Sequence, residues 1–450
     1  MADSTTDRAR STLGRQIRRG VSWNAANLVV NKGMSILVRL LLARLLVPEH
    51  FGLVAMVVVV LGLIKIFVDF GLQNALIQRK RDAKSLIRND SAFWFLLGGG
   101  IGWTALFIIA GIPLMIWAYD EPQLRDLALV MSVSILLHSL SIMPTVRLTR
   151  RMRFKSQVIA EVVSTVVASV IAIALAFAGA GVWALAAQQI STFAIKGAML
   201  WRAAAWRPRR RFVWASLQDV LSFSGWMLGN QVIHYLRKNV DKVLVGAMLG
   251  AGPLGIYTLA YMLTETIRVH IGTVVSKVMF PAYSRSQTDL ARVRRLYLGV
   301  IRYTTLVVFP IATFMILLAD PLVPKLFGEA WREAIGPLQI LALASIVFAS
   351  LGDPSAVLRG IGFPRDVFLI SSFTAFFVAF PAIYFGAAYA GINGAAWAVV
   401  GHYAVSRILF LLVIRSRLSL GLLSICAANL PAITGSALFY VFITYLKDFF

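Results

Sequence analysis

Arg39 and Lys65 lie within two successive apolar runs, and Lys242 and Arg268 lie 203 residues further on (39 to 242, 65 to 268) in two more. A charge at the centre of a helix in hydrocarbon costs about 2.5–3.5 kcal/mol even on insertion-based scales. Each of these cations is therefore expected to meet water, a partner or a ligand. Arginine offers a planar fork that suits the oxygens of a phosphate or carboxylate, whereas lysine offers a point charge. No acidic residue stands within four positions of Arg39, which favours a ligand there over a local ion pair. Asn24, Asn27 and Asn31 are spaced by three and four, so they share one helix face. Asn230 and His234 repeat that face further along the chain, and amide and imidazole groups can bond hydroxyls. Together these residues describe a polar, net cationic lining.

Two carboxylates stand close to the cations. Asp69 follows Lys65 by four positions and Glu265 precedes Arg268 by three. Each is either the partner of a local ion pair or a group that couples the site to protons or sodium. Lys238, Asp241 and Lys242 form a similar cluster, and Lys32 and Lys277 either line the site or snorkel. His138, Glu161, Lys196, Arg302 and Arg407 are expected to hold helices together or to mark span ends. Other chemistry is not signalled. Gly98-Gly99-Gly100-Ile101-Gly102 has no strand before it and lies inside an apolar run, so close helix packing is its better account. There is no Walker sequence, no metal-ligand motif and no Gly-x-Ser-x-Gly elbow. The single cysteine, Cys426, excludes an internal disulfide framework. No cofactor is expected, and the reading is of a non-enzyme.

The elements that must position these residues follow from composition. The chain has 450 residues, of which 59% are hydrophobic and 14% charged, with mean hydropathy +0.77. A soluble domain carries about 25% charged residues, so this excess of apolar surface excludes a soluble enzyme, a disordered chain and a secreted scaffold. Apolar runs fall near 21–46, 50–77, 90–118, 123–146, 156–178, 181–203, 218–249, 253–282, 296–318, 333–352, 366–389, 392–414 and 420–446. Most exceed the roughly 20 residues that cross about 30 Å of hydrocarbon as a helix. The expected fold class is an all-α multispanning membrane protein. Pro113, Pro310 and Pro381 lie inside runs and predict kinks or local unwinding there.

Charge sets the orientation. There are 44 basic against 20 acidic residues, a formal net charge of +24. A nucleic-acid binder would gather its cations on one face, but here they form short clusters wedged between apolar runs. Clusters such as Arg147, Arg150, Arg151, Arg153 and Lys155 alternate with short loops poor in Lys and Arg, such as Tyr119–Asp126. Lys and Arg are retained on the cytoplasmic side, which places the basic tail 1–20 and the basic loops inside, facing anionic lipid headgroups. That tail does not read as a signal peptide, because neither a short clean apolar stretch nor a small-residue cleavage site follows it. An odd number of spans puts Phe450 outside, unless a fourteenth span completes a pair.

The 203-residue offset also sets Trp23 on Trp226, Asn27 on Asn230, Leu41 on Leu244, Leu46 on Leu249 and Gly52 on Gly255. A slightly larger one sets Pro144 on Pro354 and Leu148 on Leu358. Internal repeats are common in transporters. The expected organisation is a tail 1–20, an N-lobe 21–203 of six spans, a linker 204–217, a C-lobe 218–415 of six spans, and a C-terminal span within 416–450. Two pseudo-symmetric six-helix lobes would then surround a central cavity.

The stretch Gly20–Lys80, above all LARLLVPEHFGLVAM (Leu42–Met56) and FGLQNALIQRK (Phe70–Lys80), closely resembles the opening of Wzx-type polysaccharide-transport flippases. These belong to the multidrug/oligosaccharidyl-lipid/polysaccharide flippase superfamily. DKVLVGAMLGAGPLGIYTLAY (Asp241–Tyr261), VMFPAYSRSQ (Val278–Gln287) and FGEAWREAIGPLQIL (Phe327–Leu341) are similar to the same family. The resemblance implies a bacterial inner-membrane protein that moves an undecaprenyl-pyrophosphate-linked oligosaccharide outward by alternating access. Polymerase and export components of a polysaccharide pathway would be its partners, together with membrane lipids, and nucleic acid would not. The family commonly has twelve or fourteen spans, so thirteen is a departure. A drug or ion antiporter of the superfamily is disfavoured because the first run carries cations and no carboxylate. A membrane polymerase or ligase is disfavoured because the longest non-basic loop is only Ala319–Glu333.

Overall fold

The structure is a computed structural model and describes residues 33–79 and 85–447. Asn24, Asn27, Asn31 and Lys32 lie outside the described residues, as do the side chains of Asn230 and Lys277. Contacts divide the chain into two compact units, Met1–Asn239 and Val240–Phe450.

In unit 1, helix α1 covers 33–45, followed by α2 (Pro48–Asp69), α3 (Leu72–Gln78) and α4 (Ser85–Leu106). Next come α5 (Ile112–Tyr119), α6 (Leu124–Arg150), α7 (Phe154–Phe177), α8 (Val182–Ala204) and α9 (Ala215–Leu249), the last belonging to unit 1 as far as Asn239. Helix α8 packs on α7 and α6, and α6 also meets α2 and α4. Ala168, Ala172 and Ala176 repeat every four residues along α7 and are buried, because small side chains let helix backbones approach where lipid supplies no hydrophobic drive. Val38 and Leu42 of α1, and Leu46 just after it, join Ala172 and Ala176 in one cluster with Ala184 and Leu185 of α8.

The basic segment 205–214 is anchored within unit 1. Trp206 stacks on Trp201 at 5.7 Å and lies 4.9 Å under the Arg147 guanidinium. The Arg209 and Val213 amides donate to Asp90 Oδ1 (3.3 Å) and Ser91 Oγ (2.9 Å), and Trp94 Nε1 donates to the Arg209 carbonyl at 2.9 Å. Both side-chain acceptors sit in the first two turns of α4.

Unit 2 takes α9 from Val240 and continues with α10 (Ala251–Arg285), α11 (Leu290–Phe327), α12 (Ile335–Ala349), α13 (Pro354–Gly360), α14 (Pro364–Phe373), α15 (Phe380–Leu418) and α16 (Leu422–Lys447). Tyr283, Tyr297, Ile301, Val357, Leu358, Phe410 and Ile414 form its main buried cluster. Eight helical stretches among the described residues are long and apolar enough to cross a membrane. One of them, Pro364–Leu418, has 55 residues, too many for a single crossing of about 20. Its backbone breaks at Ala390 and Gly391, and this separates the two arms expected at 366–389 and 392–414. Trp117, Phe377 and Leu423 are 81%, 72% and 85% exposed, as lipid-facing side chains should be. The protein is an all-helical multispanning membrane protein.

Prolines act unequally. Pro113 follows a π-helical turn at Phe107–Gly111, and Pro381 follows another at Thr374–Ala379. A proline ring clashes with the carbonyl four residues back, here Ile109 and Phe377, and a π turn inserts the residue that relieves the clash. At Pro310 the expected unwinding does not occur, since α11 runs through Pro310, Pro321 and Pro324.

The internal repeat is visible in the backbone. Gly181 (φ 55, ψ −127) opens α8, and Gly391 (φ 56, ψ −140) opens the second arm of α15, 210 residues later (181 to 391). Neither conformation suits a residue with a Cβ. Met152 and Gly362, both at positive φ (56 and 93), obey the same offset.

Candidate functional site

Each unit sets a cation of its second long apolar run on an aromatic face. In unit 1, Lys65 Nζ lies 3.9 Å from the centroid of Phe193 on α8, and His138 on α6 meets the same ring edge-on at 6.1 Å. A desolvated cation on a ring is held by the quadrupole, worth about 2 kcal/mol or more. Asp69 is engaged elsewhere, its Oδ1 accepting from the Gln73 amide at 3.1 Å. Among the described residues no ion pair joins Lys65 to Asp69. Arg39 is exposed on α1.

Phe193 and His138 also line a cavity of about 190 Å³ in unit 1. Gln73 of α3, Ser141 and Thr145 of α6, Gln157 and Glu161 of α7, and Lys196 of α8 complete its polar wall. Lys196 Nζ and Glu161 Oε2 are 3.7 Å apart, linking α8 to α7 as expected of helix-holding residues. Their side chains remain 36% and 45% exposed, so the pair opens into the cavity.

In unit 2 the structure brings Lys242 and Arg268 together over one ring. Lys242 Nζ is 5.0 Å from the Tyr261 centroid, and the Arg268 guanidinium is 5.5 Å from Tyr261 and 5.2 Å from Tyr403. Arg268 is buried, and its Nη1 and Nη2 have no hydrogen-bond partner among the described residues. Two tyrosine faces lie against this guanidinium, and Glu265, one turn earlier on α10, adds electrostatic attraction. Asp241 is buried too, with Oδ2 accepting from the Tyr257 hydroxyl at 3.0 Å. Glu265 is half-buried on α10. His234 is exposed, with Nδ1 3.3 Å from Arg237 Nη2.

The two arrangements are repeats of one another. The 210-residue offset that relates Pro144 to Pro354 sets Phe193 on Tyr403 and His138 on Phe348. Phe348 meets Tyr403 edge-on at 5.3 Å, as His138 meets Phe193. In both units, then, a cation lies on a ring that carries a second ring at its edge. Sequence reasoning singled out the cations and not the rings Phe193, Tyr261, Phe348 and Tyr403. The larger offset was the signal available, because it aligns two aromatic positions in addition to Pro and Leu.

The family model described as "Polysaccharide biosynthesis protein" matches residues 41–336. The chain belongs to that family. Among curated family relatives, it is 25% identical over 383 residues to "Lipopolysaccharide biosynthesis protein WzxC" of Escherichia coli (strain K12), covering 83% of this chain and 76% of that one. It is 26% identical over 355 residues to "Succinoglycan biosynthesis transport protein ExoT" of Rhizobium meliloti (strain 1021), covering 77% and 69%. A solved structure titled "Lipid II flippase MurJ, inward closed conformation" superposes with a TM-score of 0.74 at 13% identity, over 96% of this chain and 93% of that one. The chain thus has the two-lobed helical fold of that structure.

Proposed function

We propose that the protein is a flippase that moves an undecaprenyl-pyrophosphate-linked oligosaccharide from the cytoplasmic to the periplasmic leaflet of the bacterial inner membrane by alternating access. The observation that carries this reading is the repeated cation on an aromatic face, Lys65 in unit 1 and Arg268 in unit 2. Cations at hydrocarbon depth with no carboxylate bonded to them among the described residues are suited to an anionic cargo. The transport role in the name of ExoT and the flippase role in that of MurJ support the same reading. Arg39, Lys65, Lys242 and Arg268 would hold the diphosphate or an acidic sugar, and Asn24, Asn27, Asn31, Asn230 and His234 would bond sugar hydroxyls. Asp69 and Glu265 are the candidates for coupling to protons or sodium. The polymerase and export components of the pathway would receive the product.

Purified protein in vesicles should move the lipid-linked oligosaccharide across the bilayer without ligating or extending it. Retention of all the substrate on its original leaflet would refute the proposal. The orientation has its own test. With Cys426 replaced by serine, Gln123→Cys should react with an impermeant thiol reagent in intact cells and Arg210→Cys should not, because cationic loops stay inside. Labelling at position 210 from outside would reverse the topology.

A further inference from the structure

We infer that the unit 1 cavity holds one neutral, hydroxyl-rich sugar ring of the transported saccharide, a subsite that adjoins Lys65 through Phe193 and rests on the flippase reading above. The repeat makes the case. Unit 2 builds the same pair of rings beside its cation, yet the 210-residue offset places Val367, Ser371 and Ser406 where unit 1 has Gln157, Glu161 and Lys196. The fold is therefore made once without a charged pair at these positions. Ionisable groups among membrane-spanning helices are costly to keep, and unit 2 has no such pair at these positions, so holding α7 to α8 does not by itself account for Glu161 and Lys196.

The hydrogen-bonding sense of the wall selects the ligand. Ser141 Oγ donates to the Leu137 carbonyl and Thr145 Oγ1 to the Ser141 carbonyl, each at 2.7 Å. Both hydroxyls therefore face the cavity with lone pairs only. Gln157 Nε2 donates to Thr149 Oγ1 at 3.0 Å. Glu161 adds carboxylate acceptors, and Lys196, already beside it, largely cancels its charge. The wall sets acceptors at Ser141, Thr145 and Glu161 beside donors at Lys196 and the amides of Gln73 and Gln157, which matches sugar hydroxyls that both donate and accept, whereas phosphate has no C–H face to lay on a ring. Phe193 supplies an apolar face for the C–H side of a sugar ring. The volume of about 190 Å³ lies well above the ~30 Å³ share of one water and below the ~300 Å³ of drug-sized pockets. That is room for a single ring.

The test copies unit 2 into unit 1. In full-length protein with Cys426→Ser, Ser141→Cys reports access to the cavity through its rate of reaction with a small thiol reagent. Glucose, galactose or N-acetylglucosamine should slow that reaction, and inorganic phosphate should not. Adding Gln157→Val, Glu161→Ser and Lys196→Ser should weaken the protection about tenfold, the loss of one or two hydrogen bonds, with little change in melting temperature. Glu161→Gln, which keeps a carbonyl acceptor, should lose less. Protection by phosphate alone, protection unchanged in the triple variant, or no protection by any of the three sugars would overturn the inference. The flippase reading is judged apart from it. Parental flipping of the lipid-linked oligosaccharide by the triple variant would remove the cavity from the substrate path and leave that reading intact.

Discussion

Arg268→Ala should reduce the flux of lipid-linked oligosaccharide in vesicles by about ten- to a hundredfold, which corresponds to the 1.5–3 kcal/mol of a hydrogen bond to a charged group. The guanidinium is only 4% exposed, neither Nη atom has a hydrogen-bond partner among the described residues, and it lies 5.5 Å from the Tyr261 ring and 5.2 Å from that of Tyr403. A fork held in place by stacking, with its donors uncommitted, is preorganised for two oxygens of a phosphate or carboxylate. Arg268→Lys should restore only part of the flux, since lysine keeps the charge and loses the plane. Tyr403→Phe retains the ring and should be milder than Arg268→Ala. A purely structural arginine would behave differently. Its removal would lower the melting temperature of the purified protein and leave the transport per folded molecule unchanged. Melting and flux measured on the same samples separate the two, and unimpaired flux in a folded Arg268→Ala sample would take the residue out of the site.

Gly394→Ala should destabilise unit 2 by about 3 kcal/mol, the upper end of the range for overpacking. A Cβ at Gly394 would run into the carbonyl of Gly386, and one at Gly386 would run into that of Gly394. These atoms are backbone on both sides of the break at Ala390 and Gly391, so no side chain can rotate away and the two arms of α15 would have to part. Gly435→Ala on α16, where nothing lies within 4 Å, is the matched control and should be near neutral. The measurement is thermal unfolding in detergent of the two variants beside the parent. Equal melting temperatures for Gly394→Ala and Gly435→Ala would mean that the arms are not held in contact.

Much of the fold was legible because hydrophobicity is a property of the run. A stretch such as Pro48–Asp69 carries its own requirement to be helical in lipid, where every backbone polar group must be bonded within the segment. The repeat was legible for a related reason. Cations at hydrocarbon depth are expensive, so their recurrence at 39 and 242 and at 65 and 268 stands out against an apolar background.

What only the tertiary structure decided is where each polar group finds its partner. Asp69 is four residues from Lys65, yet it bonds the Gln73 amide, while Lys65 reaches Phe193 across the unit. Spacing along one helix permits an ion pair, but a ring brought in by another helix competes for the same cation. The cavity wall comes from α3, α6, α7 and α8, in contributions spread from Gln73 to Leu200 along the chain, so no local pattern could announce it. Proline shows the same division. Sequence states that an N–H is missing at 113, 310 and 381, and helix packing decides that the backbone answers with a π turn at two of them and stays α-helical at the third.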